Sequence, residues 1–577
     1  MMNWKRLRIG PYEVVMLALV VAASLLRILL ISQNWPATNS DEATMDLMAL
    51  HIAYRGEHPI FFYGQDYMAP IEGYVGALCI QFFGVSLFAV RLGLIPFFAL
   101  FLVCLYFLTR LLYTRPLALV TVALLSLGSN PVILYQLRAI GGYPEIVLFA
   151  ALIFLLASQL ALSSHLFFDA SALRERRWRW LAYGFLGLLI GLAVWDDQLI
   201  LPCIVAAAAL LFLFCRREIL RSRAGLFLLL GLIIGASPLI YYNLTAPLGQ
   251  NSLNTLLNLQ SSGITEVKGM GIPLVRQIAG TLMIALPTAT SYSPLCDIKS
   301  FPLFGSAADV SWQCAILQGG WSLGYLLLWA IAVWLAGSMV WKQWRQRPQQ
   351  SWSFAERQEC IRQCARLMLL LSAGMALGIY VMSPPAARVP DTSWRYLICM
   401  QVATSAVLWP LWRGITHGLQ NFRVSERLRV ASRATIVLVL RIAVLVLVAG
   451  VFFMGTIGVI QDIPTAQGAY QQREALVHDL LKVGATRVYS DYWTCNWLTF
   501  QSHEQIICAV LGETLQPNLD RYLPYRDMLK ATAHPAYVFS MNPTSIGPKQ
   551  AVFFERHILP QNSQYQRYTF DNYVVYI

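Results

Sequence analysis

Residues 12–42 read YEVVMLALVVAASLLRILLISQNWPATNSDE. The stretch up to residue 32 is apolar and long enough for a helix to cross a bilayer. An acid pair, Asp41 and Glu42, follows within ten residues. Apolar runs of about 17–25 residues, the length a spanning helix needs, recur as far as residue 460. Composition agrees: 57% of the 577 residues are hydrophobic and 13% are charged, about half the charged share of a soluble domain. The reading is a polytopic α-helical membrane protein.

Hydropathy predicts about eleven spans: 12–32, 87–109, 117–129, 144–162, 181–195, 199–215, 225–243, 318–340, 364–382, 395–412 and 435–457. The 12–32 run lacks a small-residue cleavage site and reads as a retained first span. With the amino terminus MMNWKRLR placed in the cytoplasm, the inside segments hold 24 of the 43 Lys and Arg, against 7 in the outside loops before the tail. That is the positive-inside asymmetry of a cytoplasmic (inner) membrane protein. The formal charge of +13 therefore reports topology, and no nucleic-acid patch is needed. Two short apolar stretches, 71–86 and 277–291, read as interfacial or re-entrant helices.

Two domains are expected. Residues 1–461 form the membrane domain, with outer loops 33–86 and 244–317. Residues 462–577 form a small extracytoplasmic α/β domain, in which QQREALVHDLLKV reads as a helix and RVYSD, QIICAVL, AYVFSM and NYVVYI read as strands. No metal-type CxxC pair occurs among the 11 cysteines. Cys296 with Cys314 and Cys495 with Cys508 fall outside, where each pair can form a disulfide if the compartment is oxidising.

The loop after the first span is unusually acidic: Asp41, Glu42, Asp46, Glu57 and Asp66, with Glu72 just beyond. One explanation is capping. Asn39 or Ser40 can cap a helix, and acids in its first turn meet the positive end of its dipole. Met45, Met48, Ala49 and Ile52 then mark one face of a helix lying on the membrane surface. The other explanation is chemistry. Ionised groups at a membrane boundary are costly unless used, and a carboxylate beside a sugar hydroxyl can act as general base.

SDEA at 40–43, GEHPIFFYGQDYM at 56–68 and FGVSLFAVRL at 83–92 resemble the GT-C membrane glycosyltransferases, in the branch similar to protein O-mannosyltransferases and lipid A aminoarabinose transferases. The resemblance covers the whole chain. It implies transfer of a hexosyl or pentosyl group from a polyprenyl-phosphate-linked donor to a lipid, glycan or protein acceptor at the outer face, inverting the anomeric carbon. It implies Asp41 as catalytic base, with Glu42 beside it to orient the acceptor or a divalent cation.

The resemblance also points to later positions. Glu145, in RAIGGYPEIVLF (138–149), stands where an acid helps hold the cation; alternatively it is a first-turn acid after Pro144. Arg138 either contacts a phosphate or snorkels to the interface. Asp196 and Asp197 in WDDQ end one helix and cap the next, or one of them faces the same cavity as Asp41. Arg395 and Tyr396, in VPDTSWRYLICM (389–400), resemble the arginine site for the carrier phosphate, whose two oxygens a guanidinium matches; the alternative is an interface anchor. Arg388 and Lys268 are further basic candidates. His51 and His58 are candidate ligands or hydrogen-bonding residues, His58 also for positioning the acceptor. DYWTCNW (491–497) and RYLPY (521–525) can stack on sugars or build a domain core.

A competing class is a transporter or lipid flippase without transfer activity. It would usually show paired repeats and intramembrane charges; no such repeat symmetry is seen in the sequence, and most acids lie in the outer loops. A non-catalytic scaffold or sensor leaves the polar positions 41, 145, 196 and 395 without a role.

Overall fold

The computed structural model describes residues 10–167, 173–247, 249, 251–257, 273–301, 303–305, 310–345, 353–424, 433–561 and 564–577. Lys268, the MMNWKRLR stretch and parts of the 244–317 loop lie outside the described residues. Among those described, eight helices are long and apolar enough to cross a membrane, from Pro11–Ser32 to Thr435–Lys482. Two pairs bent by 85° and 59°, Arg115–Ser126 with Asn130–Leu137 and Ala224–Gly235 with Ser237–Thr245, are broken spans or re-entrant loops, and give up to ten when each pair is counted as one span. The protein is a multi-pass helical membrane protein. The stretch 395–412, expected as one span, is a 3-10 helix, Trp394–Ala403, running into Thr404–Val424. Leu397 to Ala403 are all buried, so its apolar character serves protein packing as well.

The chain divides into two compact units. The first holds the described residues up to Leu25, Pro96–Gln136 and Tyr143–Val459. Here the Leu173–Asp196 and Ala224–Gly235 helices touch backbone to backbone. A Cβ at Gly187 would collide with the Leu228 carbonyl oxygen, and one at Gly231 with that of Gly184. Small residues at four-residue spacing allow this approach, a usual device between helices in lipid.

The second unit comprises Leu26–Ile95, Leu137–Gly142 and Ile460–Ile577. Its sheet contains β1 (Arg487–Ser490), β2 (Ile507–Val510), β3 (Ala536–Ser540), β4 (Arg567–Phe570) and β5 (Tyr573–Tyr576). The order is β2-β1-β3-β5-β4; β1 is parallel to β2 and β3, while β5 is antiparallel to β3 and β4. Four strands follow the sequence reading. The fifth, β4, is a half-exposed edge without an apolar signature.

The Ser40–Arg55 helix belongs to this unit. Asn39 caps it, its side chain accepting from the Glu42 N–H at 2.9 Å, and Gly56 ends it in the left-handed region at φ 68°. Met45, Met48 and Ala49 join one buried cluster with Ala77, Ile80 and Val90. Leu47 and Leu50 join another with Phe500, Ile507, Tyr525 and Leu529. The expectation of a helix lying on the membrane surface is thereby corrected: protein covers both faces, because Leu47 and Leu50 give the second face its own apolar contacts.

Candidate active site

Ser40, Asp41 and Glu42 part company. Neighbouring residues on a helix point about 100° apart, so each meets a different partner. The Ser40 hydroxyl donates to the Tyr492 carbonyl and receives Asn496 Nδ2 at 2.9 Å. Asp41 Oδ1 accepts from the Tyr492 hydroxyl and from Arg521 Nη2 at 3.3 Å. Arg521 Nε in turn donates to the Tyr492 hydroxyl at 3.0 Å. The Asp41 side chain keeps 29% of its surface exposed, and among the described residues its Oδ2 carries no hydrogen bond.

Glu42 is fully buried. Arg91 Nε reaches its Oε1 at 2.8 Å and Arg91 Nη2 its Oε2 at 2.7 Å, a two-point pairing that a guanidinium fork matches. Arg138 Nε lies 3.8 Å from Glu42 Oε2, and its Nη2 donates to the Ala37 carbonyl. The expected phosphate contact of Arg138 thus competes with internal partners. One turn beyond Glu42, Asp46 is buried and makes no hydrogen bond among the described residues. Burial, then the nearby Glu42 and Glu72 charges, push its carboxyl well above the usual range, with Arg91 opposing. Glu72 accepts the Gly141 and Gly142 N–H groups at 2.8 and 3.1 Å and so fixes the 138–142 loop.

His51 is a buried hydrogen-bonding residue. Its Nδ1 lies 3.0 Å from the Tyr63 hydroxyl, and its Nε2 lies 3.0 Å from the Tyr525 hydroxyl and 3.2 Å from Glu504. Burial alone would raise Glu504; the His51 and Tyr525 hydrogen bonds and the His51 and Arg55 charges outweigh it and hold that carboxyl at about 2. His58 is exposed and makes no polar contact among the described residues.

In the first unit, Arg395 Nη1 donates to the Tyr135 hydroxyl at 2.9 Å. Its guanidinium carbon lies 5.7 Å from the ring centres of Tyr135, Tyr143 and Tyr396, a cation held among aromatic faces. The 3-10 helix that carries it packs against the Tyr143–Leu162 helix, whose first turn holds the buried Glu145. Asp196 is buried at the end of Arg176–Asp196. Asp197 lies between two spanning helices and accepts the Leu199 N–H at 2.9 Å. Burial pushes its carboxyl up to about 6, against that hydrogen bond and the Arg395 charge.

A divalent cation does not fit at Glu42: both oxygens sit on Arg91, whose charge a second cation would meet. Among the described residues, no group of three His, Cys, Asp or Glu side chains converges as a metal site.

This fold has solved counterparts. ArnT from Cupriavidus metallidurans, bound to undecaprenyl phosphate, matches over 97% of this chain and 97% of its own, with a TM-score of 0.51 and 13% identity. An Archaeoglobus fulgidus oligosaccharyltransferase tethered with an acceptor peptide matches over 99% of this chain and 74% of its own, with a TM-score of 0.51 and 14% identity. Both are GT-C glycosyltransferases. The chain has the GT-C fold. No protein-family profile and no curated protein matches it.

On this GT-C fold, the residues that hold the acid pair are not named as its partners by any sequence feature. Arg91 lies in FGVSLFAVRL, Tyr492 in DYWTCNW and Arg521 in RYLPY. The aromatic density around the last two was the available signal, and it does not specify a partner for Asp41.

Proposed function

We propose that this chain is a polyprenyl-phosphate-dependent glycosyltransferase of the outer membrane face, moving a sugar from a lipid-linked donor to an acceptor hydroxyl by one inverting displacement. The observation that carries the reading is Asp41. Of the acid pair on a GT-C fold, it alone keeps an open oxygen, while Glu42 is consumed by Arg91.

In this reading Asp41 Oδ2 takes the proton of the acceptor hydroxyl as its oxygen attacks the anomeric carbon. The bond from that carbon to the phosphate oxygen breaks, and its electron pair leaves on the phosphate. Taken by itself in the first unit, Arg395 is suited to bind a phosphate: its charge is permanent, and the tyrosines beside it fix its position. Glu42 and Arg138 support the Asp41 turn, and in the first unit the Arg395 charge acts on Asp197. The undecaprenyl phosphate bound to ArnT belongs to that protein; it favours a lipid-linked donor here by analogy of fold.

Mass spectrometry of envelope lipids, glycans and proteins tests this. Cells with the gene, without it, and with Asp41→Asn are compared. A hexose- or pentose-sized addition should be lost in both altered strains. Identical masses in all three overturn the proposal.

A further inference from the structure

We infer that Tyr492 and Arg521, on the carboxy-terminal part of the chain, are positioning residues for Asp41. The inference rests on the reading of Asp41 as base.

The geometry is specific. Both donors converge on one oxygen, Oδ1, and leave Oδ2 open. A carboxylate so held cannot rotate without losing both bonds, so the remaining oxygen keeps one direction. Restraining a base in this way removes orientational freedom before the reaction.

The donors are themselves fixed. Tyr492 opens the Tyr492–Gln501 helix, which Asp491 caps by accepting the Trp493 and Thr494 N–H groups at 2.8 and 3.2 Å. Its carbonyl is held by Ser40, the residue next to Asp41. Cys495, one turn on, is bonded to Cys508 on β2. Arg521 is 8% exposed and lies over the Phe62 ring at 5.3 Å and the Tyr492 ring at 5.6 Å. It also abuts Gly64, whose φ of 68° turns the loop beneath it. A side chain supported on two rings is poorly placed to act as a mobile surface cation.

The test reads product formation against protein abundance. Cells carrying the full-length chain as Tyr492→Phe, Arg521→Met, Arg521→Lys or Asp41→Asn/Arg521→Met are compared with native and Asp41→Asn cells. The envelope product is followed by mass spectrometry and the membrane-inserted protein by immunoblot. At equal abundance, Arg521→Met and Tyr492→Phe should each slow product formation by about tenfold or more, the effect of a base that loses its orientation. Arg521→Lys should recover part of the rate, and the double variant should be no slower than Asp41→Asn. A merely structural role would lower abundance instead. Should Arg521→Met not fold, Tyr492→Phe and Arg521→Lys decide. Native rates in the folded variants overturn the inference. If Asp41→Asn loses the product while these variants keep the native rate, the positioning role falls and the base survives. If Asp41→Asn keeps the product, both fall.

Discussion

Arg91 and Glu42 form a buried two-point ion pair, 2.8 and 2.7 Å long, with neither side chain exposed. Removing one partner of such a pair leaves an uncompensated buried charge, which typically costs about 3–5 kcal/mol. Arg91→Met is therefore expected to lower the melting temperature sharply. The double variant Arg91→Met/Glu42→Gln should recover part of the loss, because neither member of the pair is then charged. Thermal unfolding of the solubilised protein checks this, and equal melting of Arg91→Met and the native chain would count against it.

The Glu504 carboxyl, held at about 2 against an ordinary 4.5, makes stability depend on pH. A depressed carboxyl contributes stability that is fully present above its unfolded value. It is lost as pH falls through the folded value, here between about 4.5 and 2. The native chain should thus be more stable than Glu504→Gln at pH 7, and the gap should narrow as pH drops below 4.5. Paired melting curves across pH 2–7 give the answer; a constant gap contradicts the linkage.

Gly187 and Gly320 make a matched test of the backbone contact in the first unit. A Cβ at Gly187 meets the Leu228 carbonyl, whereas one at Gly320 meets nothing within 4 Å. Gly187→Ala should lose about 1–3 kcal/mol through overpacking and reduce the yield of monodisperse protein. Gly320→Ala should be silent in the same size-exclusion assay.

Arg395 is predicted to govern affinity for the carrier. Arg395→Ala should weaken binding of undecaprenyl phosphate to the protein in nanodiscs by about tenfold or more, the effect of losing a charge-assisted hydrogen bond worth about 1.5–3 kcal/mol. Arg395→Lys should fall between, since an ammonium retains charge but not the planar fork. Unchanged affinity in Arg395→Ala removes the residue from the donor site.

The long apolar runs were legible because a bilayer demands length and composition, and both are local. Four strands were legible for the same reason: apolar residues in short runs bounded by turns. A helix cap at Asn39 or Ser40 was legible from a few residues of context, and the structure puts it on Asn39. The partners of the acid pair were not. Glu42 meets a residue 49 positions away, and Asp41 meets residues 451 and 480 away. No local pattern states which of two adjacent acids faces the ion pair and which keeps an open oxygen; a turn of about 100° between them decides it. The burial of Leu47 and Leu50 was missed similarly, because their cover comes from Phe500 and Leu529, far along the chain.

The most direct test is the transfer rate of Asp41→Asn. Purified native chain and variant, in nanodiscs, are given polyprenyl-phosphate-linked sugars and envelope acceptors, and product is followed by mass spectrometry. Asn keeps the size of the side chain and removes its basic oxygen. The account predicts a rate lower by about 10²–10⁴, with melting temperature and elution unchanged. A rate within about twofold of the native chain, where loss of a general base predicts at least a hundredfold, contradicts it.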